Sequence, residues 1–429
     1  MSRPGPAPPE DSGFGSAVAV DAGPEPRPDL GVPVSVNAAP RGTGAAVLRP
    51  AWAEVDLAAL RHNVALLLAA VAPARLCAVV KADGYGHGAS SVARAAVEAG
   101  AAWLAVALVD EGLALRSAGI SEDVLVLSEP APEVMNEVVT ARLTPAVYTP
   151  GGIEALRRAL RSDHQGGPFP VHLKVDTGMH RAGAAPCEAV SLARQIAETP
   201  ELHLGGTFTD LAVADEPPNA YTAGQLRCFD EALRQIRGAG LDPGLVHAAN
   251  SAGALWHPSS HHDLVRCGTA LYGLAPSRGP HSGIATALRP VLSLKARVSY
   301  TTSLPAGERL SYGLRNQLVR PSEVATVPLG YGDGVPRGLS AAGGEVLIRG
   351  RRYPIAGTVT MDQILVDCGP VAASGGGSVT AGEEVVLIGR QDGEEITAWE
   401  WAALTGTIAY EVVCGIGPRV PRVNVGDLP

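Results

Sequence analysis

The stretch "LCAVVKADGYGHGASSVARAAVEAGAAWLAVALV", residues 76–109, decides how the chain reads. A short apolar run ends on Lys81, three glycines follow within eight positions, an Ala/Arg/Glu stretch comes next, and a second apolar run closes the unit. Strand, crossover helix and strand form a parallel βαβ unit, because parallel strands need a connection of about a dozen residues or more. The alternation continues through "DVLVLSE", "TPAVYT", "FPVHLKVD", "GGTFTDLAV", "LVHAANS" and "DLVRCGTALYG", with helical spacers such as "AYTAGQLRCFDEALRQIRGAG". Eight such strands over roughly 230 residues predict an α/β fold, a (β/α)8 TIM-type barrel, whose usual size is about 250.

On either side the pattern changes. "AWAEVD" reads as a short strand before the helical "LAALRHNVALLLAAV". Past about residue 287 the helical spacers vanish, and runs such as "LSLKARVSYTT", "VATVPLGYGDG" and "EVLIRGRRYPIAGTVTMDQILVDCG" alternate with turns. The expected organisation is a disordered Pro/Gly/Ala-rich tail over 1–48, the barrel over 49–287 and a C-terminal mainly-β domain over 288–429. One helix, "TAWEWAALTG", interrupts that domain, with Thr397 placed to cap it.

Composition narrows the function classes. The 429 residues carry a formal net charge of -9, which repels a phosphate backbone, so nucleic acid is not an expected partner. Six dispersed cysteines without a CxxC pair argue against a zinc site or a disulfide framework and for a reducing, cytoplasmic compartment. No apolar run reaches the length of a membrane span, and the N-terminus lacks the pattern of a secretion signal. His257, His261 and His262 in "WHPSSHHD" lack supporting carboxylate spacing, and no metal is expected.

In a barrel the C-terminal strand ends meet at one mouth. Lys81, Arg181, Asp210, Asn250 with Ser251, and Arg266 all fall at such ends. Two arginines and a lysine around one partly buried pocket call for an anionic ligand, since unpaired buried charge is costly. Gly268 and Thr269 follow the last strand, where barrels often seat a phosphate. A phosphorylated cofactor bearing an aldehyde accounts for both the seat and the lysine, and pyridoxal 5'-phosphate is the commonest such cofactor.

These residues resemble a known family. "AVVKADGYGHGA", "KVDTGMHRAG", "AVADEP", "HAANSAG", "DLVRCGTALYGLAPS", "RLSYG", "PLGYGDGVPR", "GTVTMDQ" and "YEVVCGIGPRVPR" are similar, in order and spacing, to the alanine racemases over about residues 49–426. The resemblance implies a pyridoxal-phosphate enzyme interconverting L- and D-alanine, supplying D-alanine for the cell wall. Through it, Lys81 is the Schiff-base lysine and one catalytic base, and Tyr312 is the second base, lent by the partner in a head-to-tail homodimer. Arg266 matches the arginine at the pyridine nitrogen, with His247 behind it. Tyr85, Ser251, Gly268, Thr269 and Tyr410 match phosphate-binding positions. Arg181 and the backbone at Met361 match those that hold the substrate carboxylate. Lys174 matches a lysine that is carbamylated in some members and braces that arginine.

One departure stands out. Where the family usually has a histidine that hydrogen-bonds the partner's tyrosine, this chain has Asp210 in "FTDLAVADEP". An ionised aspartate there is expected to repel a phenolate and make Tyr312 a weaker base. The alternatives are therefore a racemase of another small amino acid such as serine, or a weakly active relative. Decarboxylases of similar architecture place an acid where Arg266 stands, and single-domain cofactor-binding relatives lack the second domain. A smaller departure is Ala409 before Tyr410, where asparagine is common.

Overall fold

The eight apolar runs become eight parallel strands: β2 (Arg75–Val79), β3 (Trp103–Val106), β4 (Val124–Val126), β5 (Thr144–Val147), β6 (Phe169–Lys174), β7 (Leu202–Phe208), β8 (Leu245–His247) and β9 (Leu264–Cys267). They pair in the order β8-β7-β6-β5-β4-β3-β2-β9. The seam between β8 and β9 is joined by two backbone bonds, from Asp263 N–H to the Val246 carbonyl and from Arg266 N–H to the Ala249 carbonyl. The structure is a computed structural model that describes residues 48–161, 167–277, 283–370 and 378–426, so the expected tail, apart from Leu48, lies outside the described residues.

Strand burial follows the period of two. In β2, Leu76 and Ala78 join the large core shared with the helices, while Cys77 and Val79 join a separate interior cluster with Trp103, Ala105, Leu125 and Leu264. Both faces of β2 are therefore covered, which is why its sequence reads as continuous apolar residues rather than as an alternation.

The second domain is built on a ten-stranded sheet. Its strands are β1 (Ala51–Asp56), β10 (Leu292–Arg297), β11 (Tyr300–Leu304), β14 (Ser322–Val327), β15 (Glu345–Ile348), β16 (Arg351–Ala356), β17 (Ile364–Asp367), β18 (Glu384–Gln391), β19 (Glu394–Ile396) and β20 (Arg422–Val425). A separate two-stranded ribbon pairs β12 (Arg309–Leu310) with β13 (Asn316–Gln317). The expected barrel range of 49–287 needs a correction here. Strand β1, the "AWAEVD" run, pairs antiparallel with β10 and parallel with β20, so it belongs to the second domain's sheet. Strand propensity alone does not say which sheet an edge will join. Thr397 does cap the helix Ala398–Thr405, accepting the Glu400 N–H at 3.0 Å.

The two domains meet behind Lys81. Arg422 in β20 donates through Nε to the Gly86 carbonyl at 2.9 Å, and its Nη1 donates to the carbonyls of Gly417 and Val420. At Gly86, φ is 78°, and an added Cβ would collide with the Val413 carbonyl of the helix Ala409–Cys414.

Candidate active site

Lys81 follows β2 with only Val80 between, and the next four residues take an unusual path. Ala82, Asp83, Gly84 and Tyr85 all have φ between 51° and 62°, a left-handed turn containing three residues with side chains. Such backbone costs roughly 1–2 kcal/mol for each non-glycine residue, so the surroundings must over-determine it. They do. Glu111 accepts the Ala82 N–H at 2.6 Å and the Ala107 N–H at 2.8 Å, Asp83 accepts the Ala89 N–H at 2.8 Å, and Gly84 N–H reaches the Val80 carbonyl at 2.8 Å. His87 completes the turn through its Nδ1, 2.8 Å from the Tyr85 carbonyl.

The turn leaves Lys81 partly buried at the mouth, with no hydrogen bond or ion pair to any described residue. Burial first, then the nearby Arg181, lowers its pKa from the ordinary lysine value, against the opposing pull of Asp210 and Glu111. An amine so placed is more often neutral, and a neutral amine is the form that attacks a carbonyl.

Asp210 lies at the centre of the predicted charged residues. Its Oδ1 accepts from Arg266 Nη2 at 2.8 Å, and its Oδ2 meets Lys174 Nζ at 2.9 Å and Arg181 Nη2 at 3.1 Å. Burial alone would raise this carboxyl, yet Arg266, Lys174 and Arg181 together hold it below the ordinary carboxylate range. Three cations around one carboxylate leave a surplus of positive charge, which suits anionic ligands.

Arg266, with 3% of its side chain exposed, is fixed on several sides. It donates through Nη2 also to the Thr209 carbonyl at 2.7 Å and through Nη1 to His247 Nδ1 at 2.8 Å. Because a guanidinium cannot accept, His247 Nδ1 must be bare and its proton must sit on Nε2. That Nε2 then donates to His172 Nδ1 at 2.9 Å, which leaves the His172 proton on Nε2, buried and without a partner among the described residues. Both rings stay neutral: burial and then Arg266 push His247 well down and His172 down to about 3. Neutral imidazoles behind Arg266 leave its charge undiluted.

The residues expected from the sequence to seat a phosphate also converge. Ser251, buried, accepts from Gly268 N–H at 2.9 Å and from Ala270 N–H at 3.3 Å. The Tyr85 hydroxyl occupies the space that a side chain on Gly268 would take, since a Cβ added there would fall 2.5 Å from it. The Tyr85 ring packs, tilted by 36° and 5.0 Å between centroids, against the fully buried Tyr272, whose hydroxyl donates to the Val79 carbonyl at 3.0 Å. Thr269 opens the short turn Thr269–Tyr272, and Tyr410 is half-buried on the helix Ala409–Cys414, its hydroxyl raised above the usual range by burial and by Asp215.

Two predicted residues stand apart. Tyr312 is 76% exposed at the tip of the β12–β13 ribbon, held there by the Thr358 hydroxyl donating to its carbonyl at 2.8 Å. Met361 is 52% exposed on the β16–β17 loop, where its carbonyl accepts the Gly332 N–H at 2.9 Å. The three loop histidines are engaged locally: His257 bonds the Ala214 carbonyl, His261 the Ala254 carbonyl, and His262 lies edge-on to Phe229.

Glu111, His172 and Arg422 were not singled out in the sequence. Each acts through backbone or through another side chain, and an isolated Glu, His or Arg carries no local pattern that says so.

Comparison with known proteins gives the family. The family described as alanine racemase, N-terminal domain, matches residues 55–276, and alanine racemase, C-terminal domain, matches residues 291–424. The chain belongs to the alanine racemase family, and by class it is an amino-acid racemase, an isomerase. It is 48% identical over 383 residues to the alanine racemase of Symbiobacterium thermophilum, covering 89% of this chain and 98% of the relative. Among solved structures, the alanine racemase of Streptomyces coelicolor shares 41% identity at a TM-score of 0.81, covering 89% of this chain and 99% of that one. The enzyme of Bacillus anthracis, crystallised with bound L-Ala-P, shares 36% identity at a TM-score of 0.80 over 89% of this chain and 97% of that one. These relatives are all named for alanine, and none supports the serine alternative.

Proposed function

We propose that the chain interconverts L-alanine and D-alanine with pyridoxal 5'-phosphate, in the cytoplasm, as a head-to-tail homodimer whose D-alanine serves the cell wall. The observation that carries this reading is Lys81: an amine with its pKa lowered by burial, free of partners among the described residues, at the same barrel mouth as Arg266.

The residues fit the cofactor. Lys81 suits its aldehyde, and Gly268, Ser251, Tyr85, Thr269 and Tyr410 suit its phosphate. Arg266 uses Nη1 and Nη2 within the protein while its Nε makes no hydrogen bond among the described residues, leaving a donor for the pyridine nitrogen. When bound, the cofactor supplies the sink for the electrons left as the Cα–H bond breaks.

The chain's own groups do the rest. Arg266 does not readily release a proton to a ring nitrogen, which restrains the sink and disfavours side reactions. Arg181 and, from the partner subunit, the Met361 N–H, which makes no hydrogen bond among the described residues, hold the substrate carboxylate. Racemisation needs a base on each face of Cα: Lys81 Nζ moves the proton on one side and the Tyr312 hydroxyl of the partner subunit on the other. The exposure of Tyr312 supports this assignment, because a large aromatic left in solvent at a ribbon tip suits an interface. Among the described residues no helix is long and apolar enough to cross a membrane.

The test is chiral analysis of cofactor-loaded protein in deuterated water. D-alanine should form from L-alanine and L-alanine from D-alanine, each with deuterium at Cα. Absence of the other enantiomer in both directions would contradict the proposal.

A further inference from the structure

Asp210 differs from every other charged group at the mouth: it is the single anion bonded to three cations, and both its oxygens are in use. Lys174, on its far side, is 3% exposed, and its Nζ also donates to the Leu127 carbonyl at 3.3 Å and lies 5.3 Å over the Phe208 ring. A carbonyl oxygen, a carboxylate and an aromatic face together make a socket for a cation. Arg181, on the near side, has 61% of its side chain exposed and donates its one side-chain hydrogen bond among the described residues to Asp210. Without that bond a long exposed arginine samples many rotamers, and ordering it then weakens ligand binding.

We propose that Asp210 is a positioning residue: it supplies from the chain itself the anion that aims Arg181 at the substrate carboxylate, so that Lys174 works as an unmodified ammonium. Naming that carboxylate as the target of Arg181 rests on the proposed racemase reading; the state of Lys174 does not.

The geometry disfavours a second anion. A carbamate built on Lys174 Nζ would place another carboxylate beside Asp210 Oδ2, now 2.9 Å from that nitrogen, and would turn a negative group toward the face of Phe208. Like charges so close in a poorly solvated pocket are mutually destabilising. The same arrangement changes what Asp210 does to the partner's tyrosine, because its charge is already balanced by Arg266, Lys174 and Arg181 within its own chain.

Two measurements on cofactor-loaded protein test this. In carbon-13 bicarbonate at neutral pH, the native protein should show no carbamate resonance and no carbamate mass, whereas Asp210→Asn should gain a resonance that Asp210→Asn combined with Lys174→Met loses. With L-alanine, Asp210→Asn should raise KM by about tenfold or more with a smaller fall in kcat, and Asp210→Glu should stay closer to native. A carbamate resonance from Lys174 in the native protein overturns the proposal, as does a KM for Asp210→Asn within about twofold of native. Should Asp210→Asn fail to fold, the native resonance and Asp210→Glu still decide. A native protein that racemises no alanine counts against the racemase reading, and the carbon-13 comparison then decides the state of Lys174 without it.

Discussion

The barrel mouth and the β12–β13 ribbon are built on opposite terms. At the mouth every charged group but Lys81 is tied down: Arg266 with 3% of its side chain exposed, Lys174 likewise, and Asp210 joined to both. On the ribbon, Tyr312 stands 76% exposed, with Leu314 at 54% two residues on. The mouth carries its strain and burial in advance, through the left-handed turn after Lys81 and the neutral histidine pair behind Arg266. The ribbon tip has left-handed backbone of its own, Ser311 at φ 59° and Leu314 at φ 49°, but not the burial, and in the proposed dimer its surroundings would come from a second copy. Half of the proposed site is therefore complete within one chain, and half is surface until two chains meet.

Removing Lys81 breaks the comparison most severely. Lys81→Ala should cut racemisation by about ten-thousandfold, because it takes away both the anchor for the cofactor's aldehyde and one base, and the absorbance of lysine-linked cofactor should vanish. Tyr312→Phe should lower kcat by about a hundredfold or more while that absorbance and the oligomeric state stay native. Retained activity would mean that the ribbon contributes only contact.

Gly268→Ala sharpens the mouth's side. Its new Cβ would press on the Tyr85 hydroxyl, and overpacking of this kind costs about 1–3 kcal/mol, so cofactor affinity should fall by about tenfold or more in a titration. Smaller effects appear with pH. The Asp210 carboxyl is held below its ordinary range in the folded protein, so its stabilising contribution is present above the unfolded value and lost as pH falls through the folded one. Asp210→Asn should therefore melt below native at pH 7, and the gap should narrow as the pH drops below about 4. Lys81 has the opposite proton balance: its lowered pKa means the neutral amine appears before that of a free lysine, so cofactor uptake by the apo-protein should rise with pH with a midpoint below 10.5.

Much of the mouth was legible in the sequence because strand ends are. The βα alternation fixes where β2, β6, β7 and β9 stop, and Lys81, Arg181, Asp210 and Arg266 follow from that register, whereas Lys174 and His247 came from the resemblance. The resemblance supplied roles that spacing alone does not. The left-handed turn was not legible, since Ala82 and Asp83 carry no mark of positive φ and are forced into it by Glu111, far along the chain. Nor was the placement of β1, whose pattern fits a strand in either sheet, or the balancing of Asp210 by three cations, two from the end of β6 and the loop after it and one from β9. Long-range partners decide these, and the local sequence reports only local preference.

Mixing two inactive variants tests most directly whether the site is shared. Lys81→Ala keeps its own Tyr312, and Tyr312→Phe keeps its own Lys81, so a dimer of one with the other holds one intact site and one doubly damaged site. Unfolded together and reassembled in equal amounts with cofactor, they should recover about a quarter of native activity, since half the dimers are mixed and each has one of two sites intact. Recovery of nothing beyond the two separate backgrounds, with mixed dimers shown to be present, would contradict a site built from Lys81 of one chain and Tyr312 of another.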